Sequence, residues 1–225
     1  MIMNKYLFKH IVVLILLLII GFGGMMISSY GNDVKRVHKP WRIKYTHFSN
    51  ILPFYPDSST ISCDSLLLYP YSDSYEAFGH VIVDKSETHK IYCDYLFYDK
   101  NNSLIQMRYN VIINSGDIVC YSDSVDIDII YNFIYFFEGG MVKSPYFKIV
   151  SDWGEYHYNE NKAILNYDVI FKNSNDNIKI RSDTMVIDCV NREAIFRGPS
   201  IIYNNDKTDS VHSVKLNLVN NIIIK

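Results

Sequence analysis

Residues 93–111, CDYLFYDKNNSLIQMRYNV, contain two strand-like stretches joined by a polar turn at 99–102. In the first stretch, apolar side chains recur at alternate positions, as at Leu96 and Tyr98. This period of two is typical of a β-strand with one buried face. The Asn and Asp side chains of the turn hydrogen-bond their own backbone and favour tight turns. The stretch therefore predicts a β-hairpin.

The same pattern occurs five times along the chain. Each copy contains an Asp preceded by Ser or Cys, and these residues are Asp64, Asp94, Asp123, Asp152 and Asp183, spaced 29 to 31 residues apart. A repeat of this length indicates stacked supersecondary units, which bury their apolar faces against their neighbours. We predict that each Asp opens a strand, where it would accept backbone N–H bonds and shield an exposed sheet edge.

The repeat predicts an all-β fold, with ten or eleven strands between Ile61 and Val219. Val, Ile, Tyr and Phe dominate this region, and no stretch in it has helical spacing. In the third unit, a match to Val142 requires two extra residues near Gly139–Gly140, which predicts a β-bulge there.

The N-terminal region differs from the repeats. Residues 1–29 contain Lys5, Lys9 and an apolar run from Ile11 to Ile27. This pattern predicts an N-terminal hydrophobic helix, which is either a cleaved signal peptide or a retained membrane anchor. The basic residues that follow the run conflict with the positive-inside rule, but we still predict export. Residues 30–60 form a proline-containing lead-in, so the folded domain is predicted at 61–219.

Composition and motifs argue against several functions. The net charge of −2 provides no basic surplus for nucleic acid. No CxxC, HxxxH, HExxH or GxSxG motif occurs, and calcium repeats need several oxygen ligands per turn, so no metal, cofactor or catalytic residue is predicted. For the cysteines, buried free thiols and a Cys63–Cys93 disulfide both stay open.

Several segments resemble the OstA-like family, which includes the periplasmic lipopolysaccharide-transport proteins LptA and LptC and the N-terminal domain of LptD. The resemblance spans 61–203 and is carried by Ile61–Ser65, Tyr75–Val83, Cys93–Asp99, Phe137–Gly140, Ser182–Thr184 and Phe196–Ser200. It implies an elongated, twisted, V-shaped β-jellyroll whose apolar interior holds the acyl chains of lipid A. It also implies a periplasmic location and end-to-end stacking with other such proteins, or with itself, through open edge strands.

The predicted function is therefore a non-enzymatic lipopolysaccharide-binding module of a bridge between the inner and outer membranes. The alternative is a structural or adhesive envelope protein that binds only proteins. The predicted groove residues are the apolar ones at equivalent repeat positions: Leu66, Leu68, Ala77, Val81, Leu96, Tyr98, Met107, Val111, Val125, Ile127, Phe136, Tyr156, Leu165, Val169, Met185, Ile187 and Phe196. A sealed hydrophobic core would show the same alternation.

Overall fold

The chain folds into one large antiparallel sheet. The computed structural model describes residues 41–49, 60–69, 71–72, 74–86, 89–174, 177–205, 207–218 and 222–224. Its strands are β1 (Trp41–Ser49), β2 (Thr60–Tyr69), β3 (Ser74–Ser86), β4 (His89–Asp99), β5 (Leu104–Ser115), β6 (Ile118–Asp128), β7 (Phe133–Lys143), β8 (Phe147–Ser151), β9 (Trp153–His157), β10 (Lys162–Asn173), β11 (Ile178–Asp188), β12 (Glu193–Asn204), β13 (Lys207–Asn217) and β14 (Ile222–Ile224).

The strands follow one another across the sheet in chain order, so each hairpin pairs with the next. Strands β8 and β9 are two halves of one rung, because both pair with β7 and β10 on either side of Asp152. With these halves counted as one, β2 to β13 make eleven strands, as the repeat predicted. The prediction of an all-β jellyroll built from hairpin repeats is confirmed.

The prediction that each repeated Asp opens a strand is wrong. All five Asp side chains are exposed, four of them lie inside strands, and Asp152 lies between the two halves of its rung. The strand register shifts at these positions, for example between Tyr92 and Tyr95 in β4. The Asp residues therefore mark β-bulges within the sheet, and they do not shield its edges.

Opposite each Asp, the neighbouring strand has residues with positive φ, fifteen and sixteen positions later in the repeat. They are Gly79 and His80, Tyr109 and Asn110, Glu138 and Gly139, Tyr167 and Asp168, and Gly198. Side chains link the two sides of this line, since His80 Nδ1 lies 2.9 Å from Asp64 Oδ2 and Asn110 Nδ2 donates to Asp94 Oδ2 at 2.7 Å. We call this line of bulges the corner.

The corner folds the sheet on itself. Residues before the Asp, such as Ile61 and Cys63, and residues after it, such as Leu66, belong to the same buried cluster. Bulges bend a strand and increase its local twist, so a bulge in every rung turns two halves of the sheet toward one interior. This gives the two faces of the predicted V-shaped jellyroll.

The predicted bulge at Gly139 exists, but the third unit is not longer than the others. Gly140 occupies the position seventeen residues after the Asp, where it pairs with Ser122 as Val111 does from the other side. Val142 corresponds instead to Val83 and Ile113, nineteen residues after the Asp. Because Gly140 has no apolar side chain at this core position, the alternation in the sequence did not indicate the correct register of the third unit.

The interior contains two packed clusters. The N-terminal cluster comprises buried apolar residues of β2 to β6 and the following turn, from Ile61 to Ile129. The C-terminal cluster comprises those of β8, β10 to β13 and the turn after β13, from Phe147 to Leu218. Phe136 of β7 packs against both clusters. The core is therefore divided near the middle of the sheet.

The predicted boundaries at 29, 60 and 219 stay predictions. Within the 30–60 lead-in, Trp41–Ser49 forms β1, which pairs antiparallel with β2 at the edge of the sheet. The apolar segment at 11–27 lies outside the described residues. Within the part of the chain that the structure describes, no helix is long and apolar enough to cross a membrane.

Candidate functional site: an apolar cavity between two clusters

An apolar cavity of about 200 Å³ separates the two clusters. Strands from both sides of β7 line it, because the folded sheet leaves the interior unfilled there. Its apolar lining residues are Ile91, Val111, Ile113, Ile118, Cys120, Val125, Ile127, Ile134, Phe136, Met141, Val142, Phe147, Ile149, Tyr156, Ala163, Leu165, Ile187, Cys189 and Leu218.

The size of the cavity limits what it holds in this conformation. An engineered cavity of about 150 Å³ lined by aliphatic and aromatic residues stays dry and binds benzene. The present cavity is somewhat larger and its wall is mostly apolar, so part of a single hydrocarbon chain fits. A lipid with several acyl chains requires the two clusters to move apart.

The polar groups on the cavity wall are few, and most are uncharged. Burial raises the pKa of Cys120 and of Cys189 to about 12, and burial also raises the pKa of Tyr156 well above its ordinary value. These groups are therefore protonated at neutral pH. Glu155 is the charged residue on the wall, and its Oε1 lies 2.7 Å from Nε2 of half-buried His157. An apolar ligand would thus meet a mostly uncharged surface.

The predicted groove residues divide into two groups. Seven line the cavity: Val111, Val125, Ile127, Phe136, Tyr156, Leu165 and Ile187. The other ten pack within or against the clusters: Leu66, Leu68, Ala77, Val81, Leu96, Tyr98, Met107, Val169, Met185 and Phe196. All seventeen point to the interior of the folded sheet, and their role in lipid binding stays a prediction.

Several cavity residues on the other side of the corner are not among the predicted groove residues. Ile91, Cys120 and Ile149 lie three positions before the repeated Asp, and Ile113 and Val142 lie nineteen positions after it. The sequence does contain a sign of these residues: apolar side chains alternate before each Asp as well as after it, and the alternation shifts by one position at the Asp. A strand that starts at the Asp does not include these positions, which is why the sequence prediction leaves them out.

The structure gives no disulfide or metal site among the described residues. Cys63, Cys93, Cys120 and Cys189 are all free thiols, of which Cys63 and Cys93 are buried and Cys120 and Cys189 are half-buried, so the Cys63–Cys93 disulfide does not form in this structure. No group of three or more His, Cys, Asp or Glu side chains in the described ranges could hold a metal ion.

The fold and the cavity define a class of protein, an all-β jellyroll with an apolar interior. A family profile described as OstA-like protein matches residues 44–183, more than half of the chain. The chain therefore belongs to the OstA-like protein family. This is a family of non-enzymatic proteins, so the prediction that the chain is not an enzyme is confirmed.

Among solved structures, the chain is similar to the crystal structure of LptH from Pseudomonas aeruginosa, described as the LptA-homologous periplasmic component of the conserved lipopolysaccharide transport device. The two sequences are 11% identical, and the match covers 55% of this chain and 93% of that one, with a TM-score of 0.42. No curated protein matches the chain in sequence.

Proposed function

We propose that this protein binds the acyl chains of lipid A and is a periplasmic module that carries lipopolysaccharide from the inner to the outer membrane. The observation that supports this most is the apolar cavity inside an OstA-like jellyroll. Soluble proteins fill their interiors to the density of organic crystals, so an apolar space between two packed clusters suits an apolar guest.

The energetics favour a chain-like ligand. Each methylene moved from water to an apolar site gains about 0.8 kcal/mol, so even a few buried methylenes hold a lipid for transfer. Glu155 is the single charged group on the wall. A hydrocarbon that contacts the rest of the wall therefore does not pay the free-energy cost of desolvating a charge. Weak, repeated contacts of this kind fit a carrier, which must release its cargo.

The sheet edges support assembly with other jellyrolls or with a second copy. Strand β1 pairs on one side only among the described strands. At the other end, β14 covers Lys215–Asn217 of β13, and no other described strand pairs with β13 on this side. Unpaired edges accept further strands by β-augmentation, which would extend the interior into a longer channel. Residues 11–27 would serve as the export signal or as an anchor in the inner membrane.

Mass spectrometry of lipid that co-purifies with the full chain from cell envelopes tests the proposal. We expect lipid A species bound to the wild type and much less lipid on Ile187→Gln, which puts an amide on the cavity wall. Ile195→Gln, at an equally half-buried position of the adjacent strand away from the cavity, is the matched control. A folded wild type that carries no lipid would favour a protein that binds only proteins.

A further inference from the structure

We infer that the position of the Phe136 ring sets the free width of the cavity. We also infer that residues 140 and 154 are glycines because the ring occupies the space that their side chains would fill. The width of the cavity can be measured without a ligand. The geometric part of this inference therefore does not depend on what the cavity binds. Its consequence for lipid uptake rests on the proposed function.

The ring of Phe136 lies in a slot between two glycines. A Cβ added at Gly140 would lie closer than 3.0 Å to Cε2 of this ring, and a Cβ added at Gly154 would be equally close to Cε1. Real Cβ atoms do not make such contacts. Gly140 follows Phe136 in β7 beyond the corner, and Gly154 is its register partner in β9. The ring therefore occupies the space that two absent side chains leave.

The backbone does not require glycine at these positions. Among the glycines that the structure describes, those with positive φ are Gly79, Gly116, Gly139 and Gly198, and neither slot glycine is among them. A strand residue with ordinary φ accepts any side chain that has room. Space for the ring is thus the reason for glycine at position 140, and space for the ring and for Leu165 Cδ2 is the reason at position 154.

The repeat shows that both glycines are exceptions. The positions equivalent to Gly140 hold Val81, Val111, Val169 and Ser200, and those equivalent to Gly154 hold Leu66, Leu96, Val125 and Met185. Eight interior positions thus carry a side chain, whereas the two that flank one ring carry none. This ring is also the one that packs against both clusters and lines the cavity.

A methyl group at Gly140 would displace the ring. A Cβ at Gly140 would meet Cε2 and Cδ2 of the ring, and the ring borders the free space of the cavity, so the ring would move into that space. The cavity would then narrow. If the glycines only compensated for the volume of the ring, a methyl group would lower stability and leave access to the cavity unchanged.

Two native thiols report on the cavity without any lipid. Cys120 and Cys189 line it, whereas Cys63 and Cys93 are buried in the N-terminal cluster. Reaction of the full chain with methyl methanethiolsulfonate, followed by peptide mass spectrometry, gives a rate for each thiol. We expect Gly140→Ala to slow modification of Cys120 and Cys189 about tenfold relative to Cys63 and Cys93.

Second variants keep the test independent of folding defects. Phe136→Leu places a smaller side chain in the slot and should speed modification of the two cavity thiols, an effect opposite to that of Gly140→Ala. The double variant Gly140→Ala/Phe136→Leu should return both rates to within about threefold of wild type. Unchanged relative rates at Cys120 and Cys189 in Gly140→Ala or in Phe136→Leu would overturn the inference.

Binding of the fluorescent fatty acid cis-parinaric acid connects the slot to lipid uptake. We expect Gly140→Ala to weaken its binding about tenfold and the double variant to restore it. If the wild type does not bind this acid while the thiol rates change as expected, the slot is supported and the proposed function fails. If the wild type binds it and Gly140→Ala binds equally well, the link between slot and uptake is overturned.

Discussion

At the scale of single residues, the corner depends on left-handed backbone that few side chains tolerate. Asn110 has a φ of 53°, and its Nδ2 donates to Asp94 Oδ2 at 2.7 Å. Asn adopts this region readily because its short side chain hydrogen-bonds locally, whereas β-branched residues do not. In this rung, the repeated Asp thus holds the bend through a side-chain contact across the bulge.

Replacement of Asn110 by Val should destabilise the protein by about 1–3 kcal/mol, because a β-branched residue is strained at positive φ. Replacement by Gly, which accepts this φ without strain, should cost less. Asn114→Val, in the same strand without a positive φ, is the control and should change the free energy of unfolding by no more than about 0.5 kcal/mol. Urea unfolding measures all three, and equal losses for the two Val variants would contradict the account.

Turns also rely on single carboxylates. Asp188 Oδ1 accepts the backbone N–H groups of Val190 and Asn191, and Oδ2 accepts from Asn191 Nδ2. These bonds, the one from the Asn191 backbone first, lower the pKa of Asp188 in the folded protein. A lowered folded-state pKa stabilises the protein above the unfolded value of about 3.9, and the effect is lost as pH falls through the folded value.

Asp188→Ala should therefore destabilise the protein at neutral pH, and the difference from wild type should shrink as the pH falls below about 4. Unfolding free energies between about pH 6 and pH 2 measure this. Asp117→Ala, which removes a carboxylate from an exposed turn, controls for net charge. A difference that stays constant or grows on acidification would contradict the role of the ionised carboxylate.

At the scale of strands, the alternation of apolar residues predicted the hairpins, their number and the interior face after each Asp. The alternation did not predict the corner, because a bulge moves the buried side chains from odd to even positions within one strand. Ile91 and Leu96 are thus both buried in β4, although one has an odd and the other an even number. The glycine at Gly140 hid the same register in the third unit. Departures from regular strand geometry are local and leave little mark on composition.

The two kinds of interior position should differ in stability. Phe196 is fully buried in the C-terminal cluster, and its ring packs edge-on against that of Phe171 with the ring centroids 5.9 Å apart. Phe196→Ala should therefore lower the free energy of unfolding by about 3–5 kcal/mol. Phe136 already borders empty space, and Phe136→Ala loses fewer contacts and should cost no more than about 2 kcal/mol. Chemical denaturation compares them, and an equal or larger loss at Phe136 would mean that its surroundings are as tightly packed.

At the scale of the whole molecule, the sequence predicted apolar groove residues in every repeat unit, whereas the structure has two packed clusters with a cavity between them. Seven of the predicted groove residues line that cavity, and the others pack within or against the clusters. Alternation identifies the interior face of a strand but not how far opposite faces lie apart. That distance depends on the size of individual interior residues, such as Gly140 and Gly154 around Phe136.

The most direct test is photo-crosslinking in cells at two buried positions of the N-terminal cluster. Val125 lines the cavity and is 5% exposed, whereas Leu96 is 2% exposed and lies away from it. With a photo-reactive residue at each site in turn, we expect a lipopolysaccharide adduct at Val125 and little or none at Leu96. A folded protein that forms no adduct at Val125, or forms equal adducts at both positions, would contradict the conclusion that the cavity is where this protein holds its lipid.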